Sequence, residues 1–160
     1  MTLSELHSIE DIKKLKARYC RYFDTKRWDD YFALFASDAI FDMRSAGSVG
    51  AVDHVADDSQ AAPELEGYQV GRDNIAAHLM KIVADITSSI HFCHTPEIEL
   101  TSADTATGIW TLDDWHQFHA GPLRSFHGFG HYEDTYIREG GKWFIQSTRL
   151  TRLRVDVEMA

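Results

Sequence analysis

Residues 104–118, DTATGIWTLDDWHQF, are the stretch that decides the fold, because they indicate one long β-strand. Successive side chains of a strand point to opposite faces, so the stretch divides into an even and an odd set. The even set is the more apolar and is predicted to face the interior: Ala106, Gly108, Trp110, Leu112, Asp114, His116 and Phe118. A carboxylate on this face is costly unless it is paired. Asp114 is therefore a functional group, a carboxylate satisfied near the strand end, or one exposed beyond the edge of the core.

Further strands are predicted on both sides of this one. They cover residues 39–43, 89–94 (SIHFCH), 97–100 (EIEL), 126–138 and 142–156. Gly140-Gly141 is typical of a tight hairpin between the last two strands.

Helices are predicted in the first half of the chain. Residues 8–24 carry apolar side chains at helical spacing, and Ser8 with Asp11 resembles a capping box. A short second helix contains Trp28, Tyr31, Phe32 and Phe35, and a third opens at Gly71-Arg72-Asp73 and carries Ile75, Leu79, Ile82 and Ile86. Helices first and strands later indicate a single α+β domain over residues 1–160, with helices on one face of an antiparallel sheet.

Residues 45–68 show no period and are rich in small and acidic residues, which predicts a long surface loop. The chain has 160 residues and a net charge of −9, so nucleic acid and anionic membranes are disfavoured as partners. No signal peptide or membrane span is evident, which predicts a cytoplasmic protein. The two cysteines, Cys20 and Cys93, form no CxxC pair and are predicted to be buried thiols in a reducing compartment.

His91 lies in an apolar strand and is a candidate general base, because imidazole titrates near neutral pH. A carboxylate on its second nitrogen would fix the tautomer, and Asp24 at the end of the first helix is a candidate. Helical phase does not establish this contact, since Asp24 lies off the apolar stripe of its helix. A core histidine whose hydrogen bonds are satisfied is the alternative interpretation.

A metal site is disfavoured by the spacing of the histidines. His91 and His94 would lie on opposite faces of a strand, and His127 and His131 have no ligand at a suitable spacing beside them. Nucleotide and nucleophile motifs such as a phosphate-binding glycine loop or GxSxG do not occur. We therefore expect neither a metal nor another cofactor.

Four separated segments carry a family resemblance. They are IEDIKKLKARYCRYFDTKRWDDYFALFASDAIF (9–41), IHFCHTPEIEL (90–100), ATGIWTLDDW (106–115) and GHYEDTYIREGGKWFI (130–145). Together they resemble the SnoaL-like branch of the nuclear-transport-factor-two-like superfamily, over most of residues 9–154. The resemblance implies a cone-shaped curved sheet that encloses an apolar pocket with the N-terminal helices. Scytalone dehydratases, hexachlorocyclohexane dehydrochlorinases and, most similar in motifs, bile acid 7α-dehydratases belong to this branch.

The resemblance implies a catalytic set. His91 corresponds to the base, Asp24 to its dyad partner, Tyr19 to the family tyrosine and Asp114 to the strand aspartate. Asp114 is expected to act as a proton donor, with its pKa raised by the apolar side chains of Trp110 and Leu112. The expected activity is dehydration by His–Asp proton abstraction. Isomerisation or cyclisation by the same dyad, or a non-catalytic ligand cup or subunit, are the alternatives.

The substrate expected from this set is a small hydrophobic molecule, such as a steroid-like or polycyclic hydroxylated carbonyl compound. Candidate contact residues are aromatic or lie on the interior face: Trp28, Phe32, Trp110, His116 and Phe129. Another subunit commonly covers the open side of such a sheet in this superfamily. A homo-oligomer, either a trimer or a dimer, is therefore expected.

Overall fold

Helices occupy the first part of the chain and long strands the second, in a computed structural model that describes residues 1–47 and 67–160. The helices are α1 (Leu3–Asp24), α2 (Trp28–Phe32) and α3 (Arg72–Ile82), followed by a 3₁₀ turn at Val83–Asp85. The strands are β1 (Phe35–Asp42), β2 (Tyr68–Val70), β3 (Ile86–Leu100), β4 (Thr105–Phe118), β5 (Leu123–Glu139) and β6 (Lys142–Met159). The predicted α+β class is confirmed.

Six strands form one sheet in the order β2-β1-β6-β5-β4-β3. Neighbours are antiparallel except β1 and β6, which run parallel. The prediction of an entirely antiparallel sheet was therefore wrong at this one pair. Short hairpin turns make β4, β5 and β6 antiparallel to one another. β1 and β6 are far apart in the chain, so no local sequence pattern indicates that they pair or in which direction.

Helix α1 begins earlier than predicted. Thr2 is the N-cap: its hydroxyl accepts from the Glu5 backbone N–H at 3.2 Å, while the Glu5 carboxylate accepts from the Thr2 N–H at 2.6 Å. The predicted start at Ser8 was wrong, because a complete capping box lies upstream and Ser8 is buried inside the helix.

Several predicted strand boundaries also differ. β3 is continuous from residue 86 to 100, with an irregularity between Cys93 and Pro96, where two short strands were predicted. Phe35, assigned by its spacing to the second helix, begins β1. The Gly140-Gly141 hairpin is confirmed, and both glycines have positive φ angles, of 56° and 80°.

The core lies between α1 and the inner face of the sheet. The apolar stripe of α1 is buried, and so are Ala106, Trp110, Leu112 and Asp114 of β4. The predicted inward orientation of the even residues of β4 is thus confirmed. Asp114 is buried because it lies on the same face of β4 as these apolar residues.

The predicted loop over residues 45–68 falls largely on residues 48–66, which lie outside the described residues. Residues 44–47 form a turn, and Tyr68 begins β2. None of the helices in the two described ranges is long and apolar enough to cross a lipid bilayer.

Candidate active site

The side chains of His91 and Asp24 are in direct contact. Nδ1 of His91 lies 2.6 Å from Oδ1 of Asp24, and the backbone N–H of His91 donates to Oδ2 at 2.8 Å. The hydroxyl of Ser89 donates to Oδ1 at 2.9 Å. Asp24 is therefore held at both oxygens by one short segment of β3.

This contact fixes the protonation pattern of the imidazole. A carboxylate oxygen accepts the hydrogen bond from Nδ1–H, so in the neutral imidazole Nε2 is the nitrogen with the free lone pair. Nε2 makes no hydrogen bond to another residue of the described ranges, and His91 lines a cavity. The ring packs edge-on against Phe23, with centroids 4.7 Å apart. This arrangement is that of an oriented general base.

Asp24 reaches β3 because of its place at the end of a helix. It is the last residue of α1, one position after the buried Phe23. Its side chain is 20% exposed, whereas that of His91 is 5% exposed. The carboxylate thus lies at the edge of the core.

A second carboxylate, that of the buried Asp114, is hydrogen-bonded to the side chains of Arg152 and His116. Arg152 donates through two terminal nitrogens, at 2.5 Å to Oδ1 and 3.0 Å to Oδ2. Nε2 of His116 lies 2.9 Å from Oδ2. The Arg152 Nε–H donates to the Ala46 carbonyl at 2.8 Å, so the guanidinium is fixed on two sides.

The expected pKa of Asp114 was wrong in direction. Burial raises it, but the hydrogen bonds from His116 and Arg152, with the Arg152 charge, outweigh burial and hold the pKa well below its usual range. Asp114 is therefore an ionised acceptor. It positions Arg152 and His116 rather than carrying a proton to donate.

A glycine makes room for the arginine. A Cβ atom added at Gly128 would clash with the Arg152 guanidinium group. Gly128 pairs with Asp114 on the neighbouring strand. The guanidinium thus occupies the space that a side chain at position 128 would take.

Tyr19 borders the same space and is buried. Burial raises the pKa of its phenol well above the usual value, and the nearby Tyr132 adds to the rise. The hydroxyl is therefore neutral and able to donate. The Lys16 ammonium lies 4.2 Å from the Tyr19 ring centroid and 3.6 Å from that of Tyr132.

The residues above line a cavity of about 530 Å³. Tyr19, His91, Asp114 and His116 all border it, and Asp24 stands behind His91. A volume of this order suits one small organic molecule. The remaining wall is mostly apolar and includes Phe41, Leu79, Ile82, Ile86, Phe118 and Phe126.

Of the five predicted contact residues, His116 alone lines this cavity. Trp110 donates to the Tyr136 hydroxyl at 2.8 Å within the core. Phe129 has odd parity and packs against His127, on the face of β5 opposite to Phe126. Trp28 and Phe32 stack on each other beside the core, with centroids 6.5 Å apart. None of these four side chains belongs to the cavity wall.

Ligand atoms of His91, Asp114 and His116 lie within 4.8 Å of one another, which is close enough to consider a metal ion. Both oxygens of Asp114 are already bound by Arg152 and His116. A cation would have to displace a fixed guanidinium, which disfavours this set as a metal site.

The cavity residues that the sequence did not predict include three polar ones, Arg152, His78 and Tyr132. Alternation with the buried Leu150 was a signal for Arg152. However, β6 also carries Arg149 and Arg154, and spacing does not tell which arginine reaches the interior. For His78, the only indication of an inward orientation is that it precedes Leu79, which lies on the buried side of α3.

Comparison with known proteins places this arrangement in a family. The model of the SnoaL-like domain matches residues 4–149. The chain belongs to the SnoaL-like family. The resemblance stated from the sequence is thereby confirmed at the level of the family, whereas the likeness to bile acid 7α-dehydratases in particular stays a prediction.

Three individual proteins are also similar to this chain. The probable cyclase FGR4 of Gibberella zeae is 25% identical over 147 residues, which cover 89% of each chain. The crystal structure of a putative scytalone dehydratase of Novosphingobium aromaticivorans superposes with a TM-score of 0.78 at 18% identity, over 100% of this chain and 93% of that one. The crystal structure of a type 3 hexachlorocyclohexane dehydrochlorinase of Novosphingobium barchaimii superposes with a TM-score of 0.72 at 18% sequence identity, over 98% of this chain and 93% of that one. The two structures show a shared fold.

Proposed function

We propose that this protein is a cofactor-independent lyase that dehydrates a small, mostly apolar, hydroxylated carbonyl compound. The single observation that carries the proposal is the His91–Asp24 contact of 2.6 Å at the wall of an apolar cavity. A scaffold or ligand cup has no need of an oriented base at this place. The names of the relatives, which include a dehydratase and a dehydrochlorinase, support an elimination.

The proposed reaction begins at Nε2 of His91. It accepts a proton from a carbon next to, or conjugated with, the substrate carbonyl, and the electron pair of that C–H bond forms an enolate. Asp24 stabilises the imidazolium through Nδ1–H. As the C=C bond forms, the C–O bond breaks, and the departing hydroxide takes a proton from His91 to leave as water. General base catalysis of this kind contributes ~10²–10⁴-fold.

The other polar groups of the cavity stabilise the negative charges that develop on the enolate oxygen and on the departing hydroxyl. The neutral Tyr19 hydroxyl donates a hydrogen bond to the enolate oxygen. Arg152 and His116, held by Asp114, form a positively polarised wall near the departing hydroxyl. Donors fixed in advance in a site with little water supply a large share of such a rate enhancement.

Two buried imidazole nitrogens support a substrate with several oxygen atoms. His78 Nε2 and His116 Nδ1 have no hydrogen-bond partner within the described residues, and both side chains line the cavity. A buried polar atom without a partner costs about 1–3 kcal/mol. Oxygen substituents on the ligand would satisfy these atoms, so we propose a polycyclic substrate with at least two oxygen functions.

Isomerisation or cyclisation is the second candidate, since FGR4 is a probable cyclase and both reactions also begin with proton abstraction. Mass spectrometry separates the candidates. Incubation with a panel of hydroxylated polycyclic ketones should give a product lighter by one water molecule. A product of unchanged mass would support isomerisation or non-oxidative ring closure instead.

The base is tested with His91→Ala. We expect kcat to fall at least ~100-fold, because no other group would accept the proton at this position. His131→Ala is the matched control, since His131 lies on β5 outside the cavity lining. A loss smaller than about tenfold in the His91 variant would remove the basis of the mechanism.

We also propose a homo-oligomer, a dimer or a trimer. Ile90, Phe92 and Ile109 on β3 and β4 are 41%, 55% and 44% exposed. Covering such side chains by a second copy would bury apolar area. Light scattering coupled to size-exclusion chromatography tests this, and a strictly monomeric protein at micromolar concentration would contradict it.

A further inference from the structure

Cys20 and Cys93 are the only two cysteines of the chain, and their sulfur atoms lie 3.4 Å apart. No sequence motif connects them, because 73 positions separate them in the chain. We propose that they form a reversible intramolecular disulfide that ties helix α1 to strand β3 beside the active site. A disulfide bond is ~2.05 Å long, so closure requires a movement of only ~1.4 Å.

The position of the pair follows from the two elements that carry it. Cys20 lies one helical turn before Asp24 on α1, and Cys93 lies two residues after His91, on the same face of β3. The hydrogen bonds of Asp24 to Ser89 and His91 already fix the end of α1 against β3. The thiols are therefore held face to face by neighbouring contacts.

The electrostatic surroundings make Cys93 the nucleophile. The hydrogen bond that Cys93 shares with Cys20 lowers the pKa of Cys93, although burial opposes this change. The charge of Lys16 acts in the same direction as the hydrogen bond. Cys93 is also the less buried of the two. Accessible cysteines with a lowered pKa are the reactive ones.

The oxidant is a small-molecule disulfide such as glutathione disulfide. The Cys93 thiolate attacks one of its sulfurs and releases one thiolate. Cys20 then loses its proton and attacks the Cys93 sulfur of the mixed disulfide, which releases the second thiol. The protein loses two protons and two electrons to the reagent, which is reduced to two thiols. A dithiol reductant reverses both steps.

The expected consequence is stabilisation without blockage of the cavity. Neither cysteine is among the residues that line it. The bond closes a loop across 73 positions, and long loops restrict the unfolded chain most. The bond would therefore act as a redox-dependent brace behind the His91–Asp24 pair.

The test begins with the unmodified protein, incubated with glutathione disulfide under native conditions and then alkylated. We expect an intact mass lower by two hydrogen atoms, no alkylation, and one peptide pair that joins Cys20 to Cys93. The oxidised protein should melt about 5–10 °C above the reduced protein, and dithiothreitol should abolish the difference.

Cys20→Ser, Cys93→Ser and the double variant are the controls, and each should melt at the same temperature with and without oxidant. Three results would overturn the proposal: two alkylatable thiols after oxidation, a glutathione adduct that stops at Cys93, or a bond between two chains on a non-reducing gel. A Cys20–Cys93 bond that leaves the melting temperature unchanged would overturn its role as a brace. None of these readouts depends on the proposed lyase activity.

Discussion

The Nδ1 atom of His91 lies 2.6 Å from Oδ1 of Asp24, although 67 positions separate the two residues in the chain. The same carboxylate accepts from the backbone N–H of His91 at 2.8 Å. One group therefore fixes both the ring and the strand that carries it. This double attachment keeps Nε2 directed at the cavity, and it explains why the carboxylate should matter for more than its charge.

Replacement of this carboxylate by an amide is the first prediction. Asp24→Asn should lower kcat ~100-fold or more with the fold intact, because an amide neither stabilises the imidazolium nor selects the Nδ1–H tautomer. Circular dichroism verifies the fold, and product formation measures kcat.

Asp30→Asn is the matched control for this variant. Asp30 lies on α2, where its carboxylate binds Arg27 at the surface. The control should keep full activity. If Asp24→Asn keeps more than about a tenth of the wild-type kcat, the carboxylate only orients the ring.

Local alternation was enough to predict part of the site. In β4 the period of two placed Asp114 and His116 on the interior face, and the structure finds both at the cavity. The Gly140-Gly141 hairpin was equally local, because a tight turn needs residues that tolerate positive φ angles.

Contacts between distant elements were beyond that kind of reasoning. Asp24 lies off the buried stripe of α1, and its partners are a backbone N–H and an imidazole on β3. Arg152 of β6 helps to lower the pKa of Asp114. Its guanidinium group reaches Asp114 because Gly128 has no side chain in the way. Family resemblance named Asp24, but neither pattern nor resemblance named Arg152.

The second prediction concerns the buried ion pair behind the tyrosines. Lys16 Nζ lies 2.7 Å from Asp134 Oδ2, and both side chains are 0% exposed. Lys16→Met should lower the free energy of unfolding by about 3 kcal/mol, because Asp134 would remain buried without its cation. Thr148 and Tyr136 still donate to Asp134, which keeps the loss at the lower end of the range.

Urea unfolding at neutral pH measures this loss, with Lys13→Met as the control. Lys13 pairs with Glu10 on the exposed face of α1, and such a pair contributes less than ~1 kcal/mol. Equal losses in the two variants would mean that the buried pair contributes no more than a surface pair.

The third prediction concerns substrate recognition by His78. His78 lines the cavity from α3, and its buried Nε2 has no hydrogen-bond partner within the described residues. His78→Leu should raise KM about fivefold and leave kcat nearly unchanged, since a hydrogen bond made equally in the ground and transition states affects binding alone. His119→Leu, in the turn after β4, is the control. A fall in kcat at constant KM would assign His78 to the chemistry instead.

The fourth prediction is the pH dependence of stability that arises from Asp114. Its folded pKa is lowered because the hydrogen bonds from His116 and Arg152 outweigh burial, whereas the unfolded chain has the ordinary value of ~3.9. As the pH falls below about 5, the unfolded state binds a proton that the folded state does not. The stabilisation is therefore complete above the unfolded pKa and is lost as the pH falls toward the folded pKa.

Asp114→Asn removes this titration, so the difference in unfolding free energy between wild type and variant should be largest near neutral pH and shrink as the pH falls toward 3. Urea unfolding at several pH values measures the difference. The same comparison in an Arg152→Met background should give a weaker pH dependence, because one of the two groups that lower the pKa is gone. A difference that stays constant with pH would mean that the carboxyl group titrates alike in the folded and unfolded chains, and that the contact with Arg152 does not hold it ionised.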